Sequence, residues 1–173
     1  MAGLSFLRNV AGRLTEILGL QTSAGAGDAG KIAALDSTGR FDITMMPVGI
    51  TPEVASCTTS EDIAAGSWCN LYLSGGVLTA RKADATAAGK ECNGFVLAST
   101  TSGQTATVYL DGSNTQVTGL TIGTSYFLDT TAGGSTATAP SGSGNVVQCL
   151  GKATAATALM FVPTSITDTI VHA

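Results

Sequence analysis

Gly66, Cys92 and Gly94 recur as Gly123, Cys149 and Gly151, each 57 positions further along the chain. The neighbouring residues agree in character: Ile63-Ala64-Ala65-Gly66 matches Leu120-Thr121-Ile122-Gly123, and Gly94-Phe95-Val96-Leu97-Ala98 matches Gly151-Lys152-Ala153-Thr154-Ala155. An offset held without a gap over about thirty residues is the mark of one supersecondary unit written twice, and such units bury a shared core between copies. The fold is therefore constrained to two similar halves, expected at about residues 53–110 and 111–167.

The 173 residues are enough for one domain with an arm. Only 12% are charged, about half the usual share, and mean hydropathy is +0.32. Even so, no apolar run approaches the roughly 20 residues of a spanning helix. Met1 to Leu20 carries Arg8, Arg13 and Glu16, unlike a secretory leader, so a soluble chain made in the cytoplasm is expected. The net charge of −4, with basic residues scattered apart from Arg81-Lys82, gives phosphate backbones little to bind. Neither nucleic acid nor membrane is an expected partner.

Between Ser5 and Leu18 the apolar residues Leu7, Val10, Ala11, Leu14, Ile17 and Leu18 recur at spacings of three and four. That periodicity predicts an amphipathic helix with Ser5 as N-cap and Gly19 as stop, forming an arm over residues 1–21. A helix this short is marginal alone in water and needs something to pack on. The glycine-rich run Thr22 to Gly30 reads as a hinge. It leads to a short hairpin around the Asp36-Ser37-Thr38-Gly39 turn and an extended connector to residue 52, with Phe41, Ile43, Met45 and Met46 as its apolar residues.

From residue 53 onward, strand-like runs alternate with Gly, Ser, Asp and Asn. Strands are expected near 54–58, 68–73, 77–82, 92–99, 105–110, 115–117, 125–129, 137–139, 146–153 and 158–162. The predicted fold is mainly β: a small barrel or sandwich built from two internal repeats that pair about a pseudo-twofold axis, preceded by the helical arm and connector. Closure would hide sheet edges that a chain so poor in charge cannot otherwise protect.

Catalysis requires a proton-moving group, an activated nucleophile or a metal. The one histidine, His172, lies next to the C-terminus, and Glu61-Asp62, Asp84 and Asp111 read as solvated turn carboxylates. Cys57, Cys69, Cys92 and Cys149 lack Cys-x-x-Cys spacing and read as reduced apolar fillers, with a bridge from Cys92 to Cys149 geometrically open. No enzyme activity, cofactor or metal is expected. A glycan-binding groove would need exposed aromatics, and Trp68, Tyr72, Tyr109 and Tyr126 are its candidates, though their area is more valuable in a core.

The segment from Gly27 to Asp42, closing with Met45-Met46-Pro47-Val48-Gly49-Ile50, resembles a connector of tailed-bacteriophage virion proteins. So do Arg81-Lys82-Ala83-Asp84-Ala85-Thr86-Ala87-Ala88-Gly89-Lys90 leading into Gly94-Phe95-Val96-Leu97, and Gly119 to Leu128 followed by Thr138 to Gln148. The likeness spans about residues 25–163 and is shared by capsid decoration proteins and by tail-fibre and head-fibre components. The lack of a long shaft and the detached arm favour the capsid. The resemblance then implies a cement protein on the outer surface of the head, stabilising contacts between major capsid protein subunits as a homo-oligomer, a trimer being favoured. Leu7, Val10, Leu14, Ile17 and Leu18 would anchor the arm, and Phe41, Ile43, Met45 and Met46 the connector. The alternative is a fibre or spike component that attaches to the host surface.

Overall fold

Ala11 and Gly12 both take positive φ angles, 52° and 81°, the signature of a two-residue hairpin turn whose twist suits flanking strands. They join β1 (Ser5–Val10) to β2 (Arg13–Leu18), paired antiparallel from Ser5↔Leu18 to Val10↔Arg13. This is seen in a computed structural model that describes residues 5–46, 53–163 and 169–172. The expected N-terminal helix is thus replaced by a hairpin, and no α-helix occurs among the described residues. Leu7, Val10, Leu14, Ile17 and Leu18 accordingly do not share one helix face.

The chain divides into two units, Met1–Thr51 and Pro52–Ala173. In the first, the hairpin is followed by 3-10 turns at Ala26–Asp28 and Ile43–Met45. The short hairpin expected around residues 31–43 is reduced to its turn: Asp36 N–H donates to Arg40 O at 2.8 Å, while Ala33 forms an isolated parallel bridge with Leu20. The expected extended run at 47–52 lies outside the described residues.

The second unit begins with β3 (Val54–Thr59), β4 (Trp68–Ser74), β5 (Val77–Lys82), β6 (Gly94–Phe95) and β7 (Thr105–Tyr109). These close a five-stranded barrel in the order β3-β5-β4-β6-β7, sealed by the parallel pairs Thr58↔Thr79 and Thr59↔Ala80. A barrel of five strands is narrow, so small side chains must fill it. Cys57, Cys69, Ala80, Val96, Ala106 and Val108 do so with Ile63. All four cysteines are free, and three of them are buried.

There follow β8 (Gly112–Asn114), β9 (Ser125–Leu128), β10 (Ser135–Thr136), β11 (Val146–Val147), β12 (Cys149–Ala155), β13 (Ala158–Phe161) and β14 (Ile170–Val171). Five of them form an antiparallel sheet in the order β10-β9-β12-β13-β8, while β11 pairs with β14. The barrel closes within the first half alone, not by pairing two halves as the sequence led us to expect. The strand expected at 115–117 sits earlier, at β8, and β14 was not foreseen.

The offset of 57 reappears in the pairing itself. Trp68↔Phe95 and Cys69↔Gly94 correspond to Ser125↔Lys152 and Tyr126↔Gly151. Gly66 N–H donates to Val96 O at 2.8 Å, as Gly123 N–H does to Ala153 O at 2.9 Å. Between barrel and sheet lies a core of Trp68, Ala83, Ala85, Cys92, Phe95, Leu120, Tyr126, Leu128, Leu150, Ala153, Leu159 and Phe161. Trp68 sits at its centre, 5.7 Å from the Phe95 ring and 5.4 Å from Phe161.

Candidate interaction surface

Side chains of paired strand residues project to the same face, and successive rows alternate. In the β1–β2 hairpin, one face therefore carries Leu7 and Glu16, Asn9 and Leu14, and Ser5 and Leu18. The opposite face carries Phe6 and Ile17, Arg8 and Thr15, and Val10 and Arg13. Leu7 lies diagonally between Leu14 and Leu18, so three leucines adjoin on the first face.

They are bare: Leu7 and Leu14 are each 73% exposed and Leu18 is 65% exposed. On the second face Val10 is 48% exposed and Phe6 38%, while Ile17 is half-buried. Phe6 is partly covered because its ring lies over Gly19, where a Cβ would come within 2.8 Å of both the ring and the Ala34 methyl. Of the expected arm residues, then, Leu7, Leu14 and Leu18 are brought together, and Val10 and Ile17 are placed on the reverse.

The connector residues belong to the same unit. Phe41 is half exposed, Met46 exposed and Met45 half-buried, while the side chain of Ile43 is outside the described set. Short-range carboxylate caps hold this segment. Asp36 accepts from the Thr38 hydroxyl at 2.7 Å and from the Thr38 and Arg40 backbones at 2.8 and 3.0 Å. Asp42 accepts from Thr44 in the same way, and the Thr44 hydroxyl accepts from Ser23 N–H at 2.8 Å. Asp28 pairs with Lys31 at 2.6 Å and caps Ala24 N–H. Lys31 holds Asp28 below the usual carboxylate range, as the Thr38 hydroxyl does Asp36 and the Thr44 hydroxyl Asp42. They act as structural staples of this segment, whereas Asp84, expected as a solvated turn carboxylate, is buried and paired with Lys90 at 3.0 Å.

Chemistry elsewhere is quiet. Burial pushes the Cys69 thiol up to about 12 and raises Cys92 further, so both stay protonated and weakly nucleophilic. Among the described residues no group of three His, Cys, Asp or Glu is placed to hold a metal. His172 is tied by backbone bonds to Gly144 and Asn145. Of the aromatic candidates, Trp68 and Tyr126 are buried and Tyr109 stacks on Phe95 at 5.5 Å. Tyr72 lies beneath the Arg81 guanidinium, 4.4 Å from its ring centre. Among the described residues no helix is long and apolar enough to cross a membrane.

What the sequence reading missed is the polar clamp between the halves. Gln148, 2% exposed, accepts from Cys92 N–H at 2.6 Å and donates to Cys92 O at 2.8 Å. Asn114, wholly buried, donates to Gly66 O at 2.9 Å. In the sequence Gln148 is marked only by standing next to the repeated Cys149, and nothing marks Asn114. Comparison of the chain with protein-family models, curated proteins and solved structures finds no match in any of the three.

Proposed function

We propose that this is a capsid decoration protein of a tailed bacteriophage, in which the first unit attaches to the outer surface of the head. The observation that carries the reading is the bare hairpin. An isolated two-stranded hairpin is marginally stable in water, and this one exposes leucines on one face and Val10 and Phe6 on the other. Such a surface is completed by burial in an assembly. Phe41 and Met46 extend the apolar surface of the same unit, and flexible Met side chains suit contact sites that are only quasi-equivalent.

The role is mechanical. A protein that binds the assembled shell but not its dissociated subunits stabilises the shell by mass action. The matching strand orders and registers of barrel and sheet support reading them as two copies of one unit, the first closed and the second left open. With Trp68 and Tyr126 in the core and Tyr109 packed against it, three of the four candidate aromatics serve packing rather than a sugar-stacking platform, which favours the head over a receptor-binding fibre.

The test is location and binding. Labelled antibody against the protein should mark heads and not tail tips. Phe41→Asp combined with Met46→Asp should weaken co-sedimentation with undecorated heads by about tenfold or more. Label confined to the tail overturns the reading.

A further inference from the structure

The two faces of the β1–β2 hairpin differ in charge as well as in apolar content. Glu16 is the one charged residue on the Leu7, Leu14 and Leu18 face; Arg8 and Arg13 are the charged residues on the Phe6, Val10 and Ile17 face. Glu16, Arg8 and Arg13 are all exposed, and the ion pairs among the described residues of this unit do not include them. Each face is therefore an apolar patch with a charge of one sign, and each is complementary to the other.

We infer that the hairpins of neighbouring copies of this chain stack face to back, the leucine face of one on the Arg8, Val10 and Arg13 region of the next. Strand pairs stacked this way lie about 10 Å apart. At that spacing a glutamate and two arginines, each on a long flexible stem, meet across the interface. Stacking would bury Leu7, Leu14, Leu18 and Val10 together. It would also supply the extra strands that a lone hairpin lacks for stability.

The geometry also limits the number of copies. A surface that binds a different surface of its neighbour is heterologous and must close into a ring or run on as a filament. Two opposite faces of one hairpin cannot both be satisfied in a pair, so a closed ring holds at least three copies, and closing it needs each hairpin turned against the last rather than laid squarely on it. Phe41 and Met46, which lie outside the hairpin, remain available to the shell. The inference rests on reading the first unit as an assembly arm, and it names another copy of this chain as the partner that covers the hairpin.

Charge exchange in the full chain tests it, with mass measured by analytical ultracentrifugation. Wild type should sediment as a ring of three or more copies that weakens with added salt. Glu16→Arg alone should lose the ring, because both faces are then positive, and so should Arg8→Glu with Arg13→Glu, because both are then negative. Combining all three substitutions restores opposite charges and should restore the ring. Circular dichroism and thermal melting of each variant check that the β unit stays folded.

A wild-type monomer overturns the inference, and so does failure of the triple variant to recover. Association indifferent to both single-sign variants points to like faces packing together and also overturns it. A monomer that still binds heads leaves the decoration reading standing, whereas rings that ignore heads remove that reading and keep the stacking.

Discussion

Backbone carbonyls occupy the space a Cβ would need at Gly94 and Gly151, one of the glycine pairs set 57 positions apart. At Gly94 the obstacle is Tyr109 O and at Gly151 it is Met160 O, each on a neighbouring strand. Because the obstruction is backbone, it cannot swing aside as a side chain would. Gly151→Ala should therefore destabilise the β unit by about 3 kcal/mol, the upper part of the range for overpacking, read from the midpoint of urea unfolding; an unshifted midpoint contradicts the close approach. Gln148 acts through satisfaction rather than size. Gln148→Leu strands both the N–H and C=O of Cys92 in the core, and each orphaned group costs about 1–3 kcal/mol. A loss of about 3 kcal/mol is expected by the same measurement, and a loss below about 1 kcal/mol would show that Cys92 finds other partners.

At the scale of elements, the first hairpin shows how two periods compete. Residues 5–18 match a helical spacing, but they also alternate well enough to make strands on either side of Ala11-Gly12. Glycine costs a helix interior about 1 kcal/mol, while the same dipeptide supplies the positive φ angles of the hairpin turn. The Asn9 side chain then accepts Gly12 N–H at 2.9 Å, and the turn wins. The following segment depends on Asp28, Asp36 and Asp42. Folding lowers all three from an ordinary value of 3.8, so the stability they contribute is fully present above that value and is lost as pH falls through their lower folded values. Acid titration followed by amide NMR should show Thr38, Arg40 and Thr44 holding native shifts at pH 3.8 and losing them only below it. Loss of those shifts above pH 3.8 would contradict the capping geometry.

At the scale of the molecule, the barrel and the second sheet share a core in addition to the small one that fills the barrel. Phe161 from β13 and Phe95 from β6 both pack on Trp68, and Val146 N–H of the second half donates to Ala85 O of the first at 2.8 Å. Phe161→Ala should cost about 3–5 kcal/mol and lower hydrogen-exchange protection in β4 of the barrel as much as in β12. Protection lost from β12 alone would mean that the halves unfold separately. Sequence alone determined the β class, because strand-length apolar runs punctuated by Gly, Ser, Asp and Asn are local properties readable along a chain. Only tertiary structure decided that β3 to β7 close into a barrel while β8, β9, β10, β12 and β13 form an open sheet, that residues 5–18 are a hairpin, and that Gln148 and Asn114 join barrel and sheet. Closure and the clamp turn on groups that find partners distant in sequence, which no local pattern carries, whereas the hairpin was decided between two local periods by the Ala11-Gly12 turn.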